Sequence, residues 1–215
     1  MFIVFEGIDG TGKGTQVERA VEYLRKMLGD DMVVQSKDPG GTKLGAAIRR
    51  IIYEEVPTHE LASGVVDLLF LASHIQNWQM VVKPALDAGK FVVSDRWWYS
   101  QAAYMTKRIV PTPIANAYMQ AHGKDADLLI FFHGNPHTFV DRARARETET
   151  HQSAKAWNDL GVLANIQREY FIQFSYLPEW FPINVDDKSQ DQVWDEVRYA
   201  ISSTMKKIWA LKNVL

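Results

Sequence analysis

The chain contains no cysteine, which excludes disulfides and thiolate metal sites and suits a reducing compartment. It also has little excess charge: 24 Lys and Arg stand against 26 Asp and Glu, a formal net charge of −2. No bulk field therefore draws it to a nucleic acid polymer or to an anionic membrane, and neither is expected as a partner. Any phosphate it binds must be held by a local arrangement. No apolar stretch approaches the roughly 18 residues of a spanning helix, and no basic segment opens the chain, so neither secretion nor membrane insertion is expected. We expect a cytoplasmic protein, in the host cytoplasm if it is viral. Internal repeats, low-complexity tracts and linkers are missing too. What remains is 215 residues, 47% hydrophobic and 23% charged, enough for one good core in one domain, residues 1–215.

Short apolar runs at Phe2–Phe5, Met32–Gln35, Phe91–Ser94, Leu128–Phe132 and Pro182–Val185 read as buried strands. Between them lie helical patterns. Val17, Ala20, Val21, Leu24 and Leu28 recur at helical spacing, an apolar stripe runs from Leu61 to Leu86 and stops near Ala88-Gly89, and Val193, Val197, Ile201, Met205 and Ile208 repeat the pattern over Gln190–Leu211. Such alternation predicts an α/β fold, a parallel sheet with helices on both faces. The least regular part, about residues 134–158, is rich in Arg, Glu, Thr and His and is expected to form a flap, or lid, over a site.

Gly7-Ile8-Asp9-Gly10-Thr11-Gly12-Lys13 follows the first strand and precedes an amphipathic helix. That is the setting in which G-x-x-x-x-G-K presents backbone N–H groups and a helix N-terminus to a polyphosphate. Lys13 would reach the β- and γ-phosphates as a point charge. The usual next residue is a hydroxyl that helps hold Mg²⁺; here it is Gly14, and the hydroxyl comes one position late at Thr15. G-K-G-T resembles adenylate and UMP/CMP kinases at this point, so Gly14 reads as a variant of the motif.

Asp95-Arg96 ends the third strand candidate, and ligands of open α/β sheets bind outside the strands' carboxyl ends. An Asp there can hold the water shell of Mg²⁺, and a guanidinium can clamp an acceptor phosphate. A surface ion pair is the plain alternative, and the neighbouring loop argues against it. In Asp141-Arg142-Ala143-Arg144-Ala145-Arg146 one or two arginines can close over a γ-phosphate and offset charge developing in transfer.

These residues carry a resemblance. Phe5-Glu6-Gly7, Asp38-Pro39-Gly40-Gly41-Thr42, Leu68-Leu69-Phe70, Lys83-Pro84-Ala85-Leu86, Asp95-Arg96 with Ser100 and Ala103-Tyr104, and the Arg-x-Arg-x-Arg run together resemble the thymidylate kinase family over most of the chain. The resemblance implies a P-loop kinase fold with a core of five parallel strands, a short arginine-rich lid, γ-phosphoryl transfer from ATP to dTMP, Mg²⁺, and a homodimer. It implies ATP contacts from Gly7, Asp9, Gly10, Thr11, Gly12, Lys13, Gly14 and Thr15. Acceptor contacts would come from Asp9, Asp38, Pro39, Phe70, His74, Arg96, Ser100, Gln101 and Tyr104. Phe70 stacks on the base in this reading, Tyr104 packs near the deoxyribose, and Arg142, Arg144 and Arg146 are the lid arginines. Lys13, Asp9, Arg96 and those three would be catalytic, and Asp95 (through water) and Thr15 would hold the metal.

The departures fall at the base pocket. Lys37-Asp38 stands where the family commonly has Arg before its acidic residue, His74 where an arginine meets the pyrimidine edge, and Asn77 in place of a more usual His. Trp97 and Trp98 are bulkier than the usual pair, and Gln101 takes the position that often reads N3 of thymine. A hydrogen-bonding pocket rejects analogues that lack a partner. Two alternatives to a dTMP kinase therefore stay open: a kinase for another base (dUMP, a 5-modified dUMP or a purine), and a P-loop binding protein without catalysis. A guanine-specific switch is disfavoured, since its N-K-x-D element has no Asn-Lys pair to start from.

Overall fold

Five strands, all parallel, form one sheet in the order β2-β3-β1-β4-β5. They are β1 Phe2–Glu6, β2 Val33–Lys37, β3 Phe91–Asp95, β4 Leu128–His133 and β5 Phe181–Asn184. We describe residues 1–56, 60–62, 64–105, 123–150, 159–177 and 180–212 of a computed structural model. β1 and β4 are buried along almost their whole length, as strands covered on both faces must be. The register sets Phe5 beside Asp95 and Ile130, and Lys37 beside Asp95. All strand carboxyl ends thus open on one edge, with β1 between β3 and β4, the place where such sheets bind ligands.

The helices are α1 Lys13–Leu28, α2 Lys43–Arg50, α3 Val65–Asn77, α4 Lys83–Asp87, α5 Trp98–Met105, α6 Pro136–Thr150, α7 Leu160–Phe174 and α8 Gln190–Lys212. α1 buries Val17, Ala20, Val21 and Leu24 against the sheet, and ends where the Gly29 N–H donates to the Arg25 carbonyl. Thr42 caps α2 by accepting from the Gly45 N–H at 3.0 Å. The expected stripe from Leu61 to Leu86 is two α-helices joined by a wide π-turn, Trp78–Val82. Pro84, in the first turn of α4, has no N–H for the carbonyl four residues back, so the turn widens just before it. The stop at Ala88-Gly89 is where the sequence places it, Gly89 taking a left-handed φ of 73°.

Residues 136–150 of the expected irregular flap are instead helical, as α6. The Asn135 side chain accepts from the His137 N–H at 3.0 Å, Pro136 occupies the first helical position, where it is tolerated, and Phe139, Val140 and Ala143 bury one side. Residues 151–158 of that flap lie outside the described residues. Among the described residues no helix is long and apolar enough to cross a membrane.

Candidate active site

The glycine-rich loop sits where β1 leaves the sheet. Gly10 has a φ of 89°, and a Cβ on it would lie 2.1 Å from the Phe139 carbonyl oxygen, so only glycine fits beneath the first turn of α6. Thr11 Oγ1 donates to the Ile8 carbonyl at 3.0 Å, closing the loop. Gly12 precedes α1 with no side-chain cap, and no acidic residue occupies the first turn. The helix N–H groups are left for an anion. A Cβ at Gly14 would meet nothing within 4 Å, so the missing hydroxyl is not a steric requirement of this backbone.

Lys13 Nζ lies 2.9 Å from Asp95 Oδ1, and Lys37 Nζ lies 3.4 Å from Asp95 Oδ2. Burial pushes the Asp95 carboxyl upward, but Lys13, Arg96 and Lys37 outweigh it and hold it well below the usual carboxylate range. Lys13 is buried too; burial and then Arg96 lower its pKa, against Asp95 and Asp9. Buried Asp95 Oδ1 meets Lys13 as an ion pair but makes no well-angled hydrogen bond.

The sequence-predicted Arg96, Asp9, Ser100 and Tyr104 come together on the other side of the loop. Arg96 Nη2 donates to Asp9 Oδ1 at 2.9 Å, and Nη1 donates to Ser100 Oγ at 3.0 Å and to the Tyr170 hydroxyl at 3.2 Å. Its guanidinium lies 5.6 Å from the centre of the Tyr104 ring. Beneath it is Glu6, fully buried. Glu6 accepts from the Trp97 N–H at 2.8 Å, from Ser100 Oγ at 2.7 Å and from the Tyr170 hydroxyl at 2.9 Å. Ser100 Oγ and the Tyr170 hydroxyl are themselves 2.7 Å apart. Two hydroxyl protons thus serve three oxygen–oxygen contacts, and a proton on Glu6 would complete the set. Burial pushes the Glu6 carboxyl up, against Arg96 and its hydrogen-bond donors.

The third group lies along α3. His74 is wholly buried, its Nδ1 hydrogen-bonded to Asp38 Oδ2, its ring centre 4.4 Å from that of Trp97. Asp38 is buried as well, and its Oδ1 has no hydrogen-bond partner among the described residues. Asn77 accepts from Ser36 Oγ at 3.0 Å and donates to the Lys37 carbonyl at 3.3 Å, which secures the start of the Asp38-Pro39 turn. Phe70, Pro39 and Gln101 are buried; Phe70 packs with Ile48, Ile52 and Tyr53 in a small second core. Trp97 belongs to the main core, edge-on to Phe2 at 5.1 Å, and Trp98 donates to Asp125 at 3.3 Å. Trp97 is thus core packing and no part of an enlarged pocket wall.

Thr15 is half-buried in the first turn of α1, and Arg142 and Arg144 stand exposed on α6; the side chain of Arg146 lies outside the described residues. Three participants escape the sequence reading as site residues: Glu6, Lys37 and Tyr170. Glu6 was detectable as a lone acid closing an apolar strand. Tyr170 sits in a stripe, Leu163, Ile166, Tyr170 and Phe174, at helical spacing.

A family model, thymidylate kinase, matches residues 5–197. A thymidylate kinase of Vibrio vulnificus (strain YJ016) is 30% identical over 210 residues, spanning 96% of this chain and 97% of its own length. One of Fervidobacterium nodosum is 44% identical over 104 residues, 48% of this chain and 50% of that protein. The crystal structure of an Ehrlichia chaffeensis thymidylate kinase superposes with a TM-score of 0.72 at 24% identity, over 94% of this chain and 98% of that one. It has the same fold.

Proposed function

The chain belongs to the thymidylate kinase family, and from that premise we propose that it transfers the γ-phosphoryl of ATP to the 5′-phosphate of dTMP, giving dTDP and ADP. The observation that carries the reading is the pairing of two poles in one crevice: Lys13 with Asp95 on one side of the loop, and Arg96 with Asp9 on the other. Loop N–H groups, the α1 N-terminus and Lys13 bind the ATP phosphates, with Gly7, Asp9, Gly10, Thr11, Gly12, Gly14 and Thr15 lining them. Arg96, oriented by Asp9 and Ser100, holds the acceptor phosphate. One of its oxygens attacks the γ-phosphorus as the bond to the β-phosphate oxygen breaks, and the protein supplies alignment and charge.

Mg²⁺ fits this site. Among the described residues no cluster of three His, Asp or Glu could hold a metal alone, but Mg²⁺ in such sites takes one or two carboxylates plus phosphates. Asp95, through water, and Thr15 would hold it, and it would neutralise charge on the β- and γ-oxygens. α6 is the lid helix of the expected segment 134–158. It rests on Gly10 at its first turn, and Arg142, Arg144 and Arg146 on it serve the γ-phosphate. Phe70 and Tyr104 flank the base and deoxyribose, beside Asp38, Pro39 and Gln101. His74 is engaged by Asp38 inside the protein, which favours dTMP over a pocket rewritten by that histidine. Exposed Leu68, Ile75 and Met80 along α3 and the π-turn give a homodimer its apolar face, and the setting is cytoplasmic.

The test is ADP formation from ATP and Mg²⁺ with dTMP, dUMP, 5-hydroxymethyl-dUMP, dCMP, dAMP, dGMP and UMP offered separately. The fastest turnover is expected with dTMP. A clear preference for another monophosphate would overturn the base assignment, and no turnover would overturn the activity. Sedimentation velocity of the wild type and Leu68→Glu tests the dimer.

A further inference from the structure

Resting on that phosphoryl-transfer reading, we propose that Tyr170 is a positioning residue for the acceptor phosphate, its hydroxyl fixing the Arg96 guanidinium through the buried carboxyl group of Glu6. Tyr170 is fully buried, its ring packed 5.2 Å from Phe131 and 5.5 Å from Phe174. Those contacts are aromatic packing that a phenylalanine would keep. The hydroxyl does something else: it joins Glu6 Oε2, Ser100 Oγ and Arg96 Nη1 at 2.9, 2.7 and 3.2 Å.

Arg96 needs such support. Its φ of 71° lies in a region that residues other than glycine seldom adopt, and such a conformation persists only where the surroundings over-determine it. Four segments supply the side-chain constraint. Asp9 in the loop fixes Nη2, Ser100 on α5 and Tyr170 on α7 share Nη1, and Glu6 at the end of β1 anchors both hydroxyls. Asp9 is partly exposed and stands beside the nucleotide loop, so it can follow a ligand. Tyr170 and Glu6 lie in the core and cannot. The planar fork is thereby oriented before the acceptor arrives, which spares the ordering cost on binding.

The experiment compares Tyr170→Phe with Phe174→Leu in the full chain. Phe174 is a fully buried neighbour of the Tyr170 ring outside the polar network, so its variant reports packing loss alone. For each we would measure Tm, dTMP affinity by calorimetry without ATP, and KM for dTMP and for ATP. Tyr170→Phe should weaken dTMP binding and raise its KM about tenfold, the scale of a hydrogen bond to a charged group, with ATP KM within about twofold. Phe174→Leu should lower Tm while leaving dTMP affinity within about twofold. Unchanged dTMP affinity in Tyr170→Phe, or an equal loss in Phe174→Leu, would overturn the proposal. A wild type that binds dTMP but forms no ADP would sink the kinase reading separately, because the binding comparison needs no turnover.

Discussion

Two carboxylates end neighbouring strands of the sheet, Glu6 on β1 and Asp95 on β3, and their surroundings are opposites. Glu6 is saturated by neutral donors, a backbone N–H and two hydroxyls, with Arg96 no closer than 3.9 Å. Asp95 is held by cations, Lys13 at 2.9 Å and Lys37 at 3.4 Å. Burial prevails at Glu6 and raises its pKa; the cations prevail at Asp95 and lower it. Neutral donors fixed in a core persist when a ligand binds. In the proposed reaction, lysines on flexible stems would leave Asp95 for phosphate oxygens, and the carboxylate would then be free for the waters of Mg²⁺. On the proposed function, the acceptor pole is thus expected to stay and the donor pole to exchange.

The strongest way to break this comparison is to remove the cation at each pole. Lys13→Ala should lower kcat about 10²- to 10³-fold, the scale of losing one pre-placed charge donor in a transfer site, with dTMP affinity nearly unchanged. Arg96→Lys replaces a fork that meets Asp9, Ser100 and Tyr170 together by a single point charge. It should lower kcat/KM for dTMP about 10²-fold with little change in ATP KM. Steady-state kinetics with each substrate varied in turn checks both. If Lys13→Ala weakened dTMP binding as much as Arg96→Lys does, the poles would not be separable.

A smaller effect sharpens the contrast through pH. The folded-state pKa of Asp95 lies below its ordinary value of 3.8, so its contribution is fully present above that value and lost as pH falls below it. Asp95→Asn should flatten the loss of Tm below about pH 4. At Glu6 the sign reverses. Its pKa lies above the ordinary 4.5, so the folded chain keeps a proton that the unfolded chain releases. Stability therefore falls as pH rises from 4.5 toward the raised value. Glu6→Gln, which keeps an oxygen acceptor, should remove that fall. Melting curves from pH 3 to 8 separate the two slopes (about one Tm per half unit suffices); parallel slopes for the two variants would refute the opposition.

How far the two poles were legible follows from the same chemistry. The apolar runs located every strand, yet β1, β2, β3 and β4 extend past the runs to Glu6, Lys37, Asp95 and His133. A ladder needs only backbone groups, so polar residues can close a strand that an apolar pattern ends early. Three of those added residues, Glu6, Lys37 and Asp95, lie in the candidate site, where local pattern and function part company. Lys13, Asp95 and Arg96 were readable because motif and strand end mark them locally. Tyr170 meets Glu6 across 164 residues of chain and His74 meets Asp38 across 36, and no spacing rule reaches such pairs. α6 was hidden by its charge: five Arg and Glu residues between Arg142 and Glu149 mask the short stripe of Phe139, Val140 and Ala143.

The smallest expected effect bears on the residue that looks most out of place. Gly14 stands in the first turn of α1, exposed, with open space where a Cβ would go. Serine there needs no rearrangement, and helix propensity alone should make Gly14→Ser more stable by a few tenths of a kcal/mol, up to about 0.5. Because the donor pole exchanges partners, a hydroxyl beside Lys13 would add a ligand for the metal without disturbing Asp95. The Mg²⁺ concentration for half-maximal rate should then fall about two- to threefold, with kcat held near wild type. A Mg²⁺ titration at saturating ATP and dTMP reads this directly. A rise in the Mg²⁺ requirement would mean that Thr15, one residue later, already occupies that coordination place and that Gly14 is there to let it in.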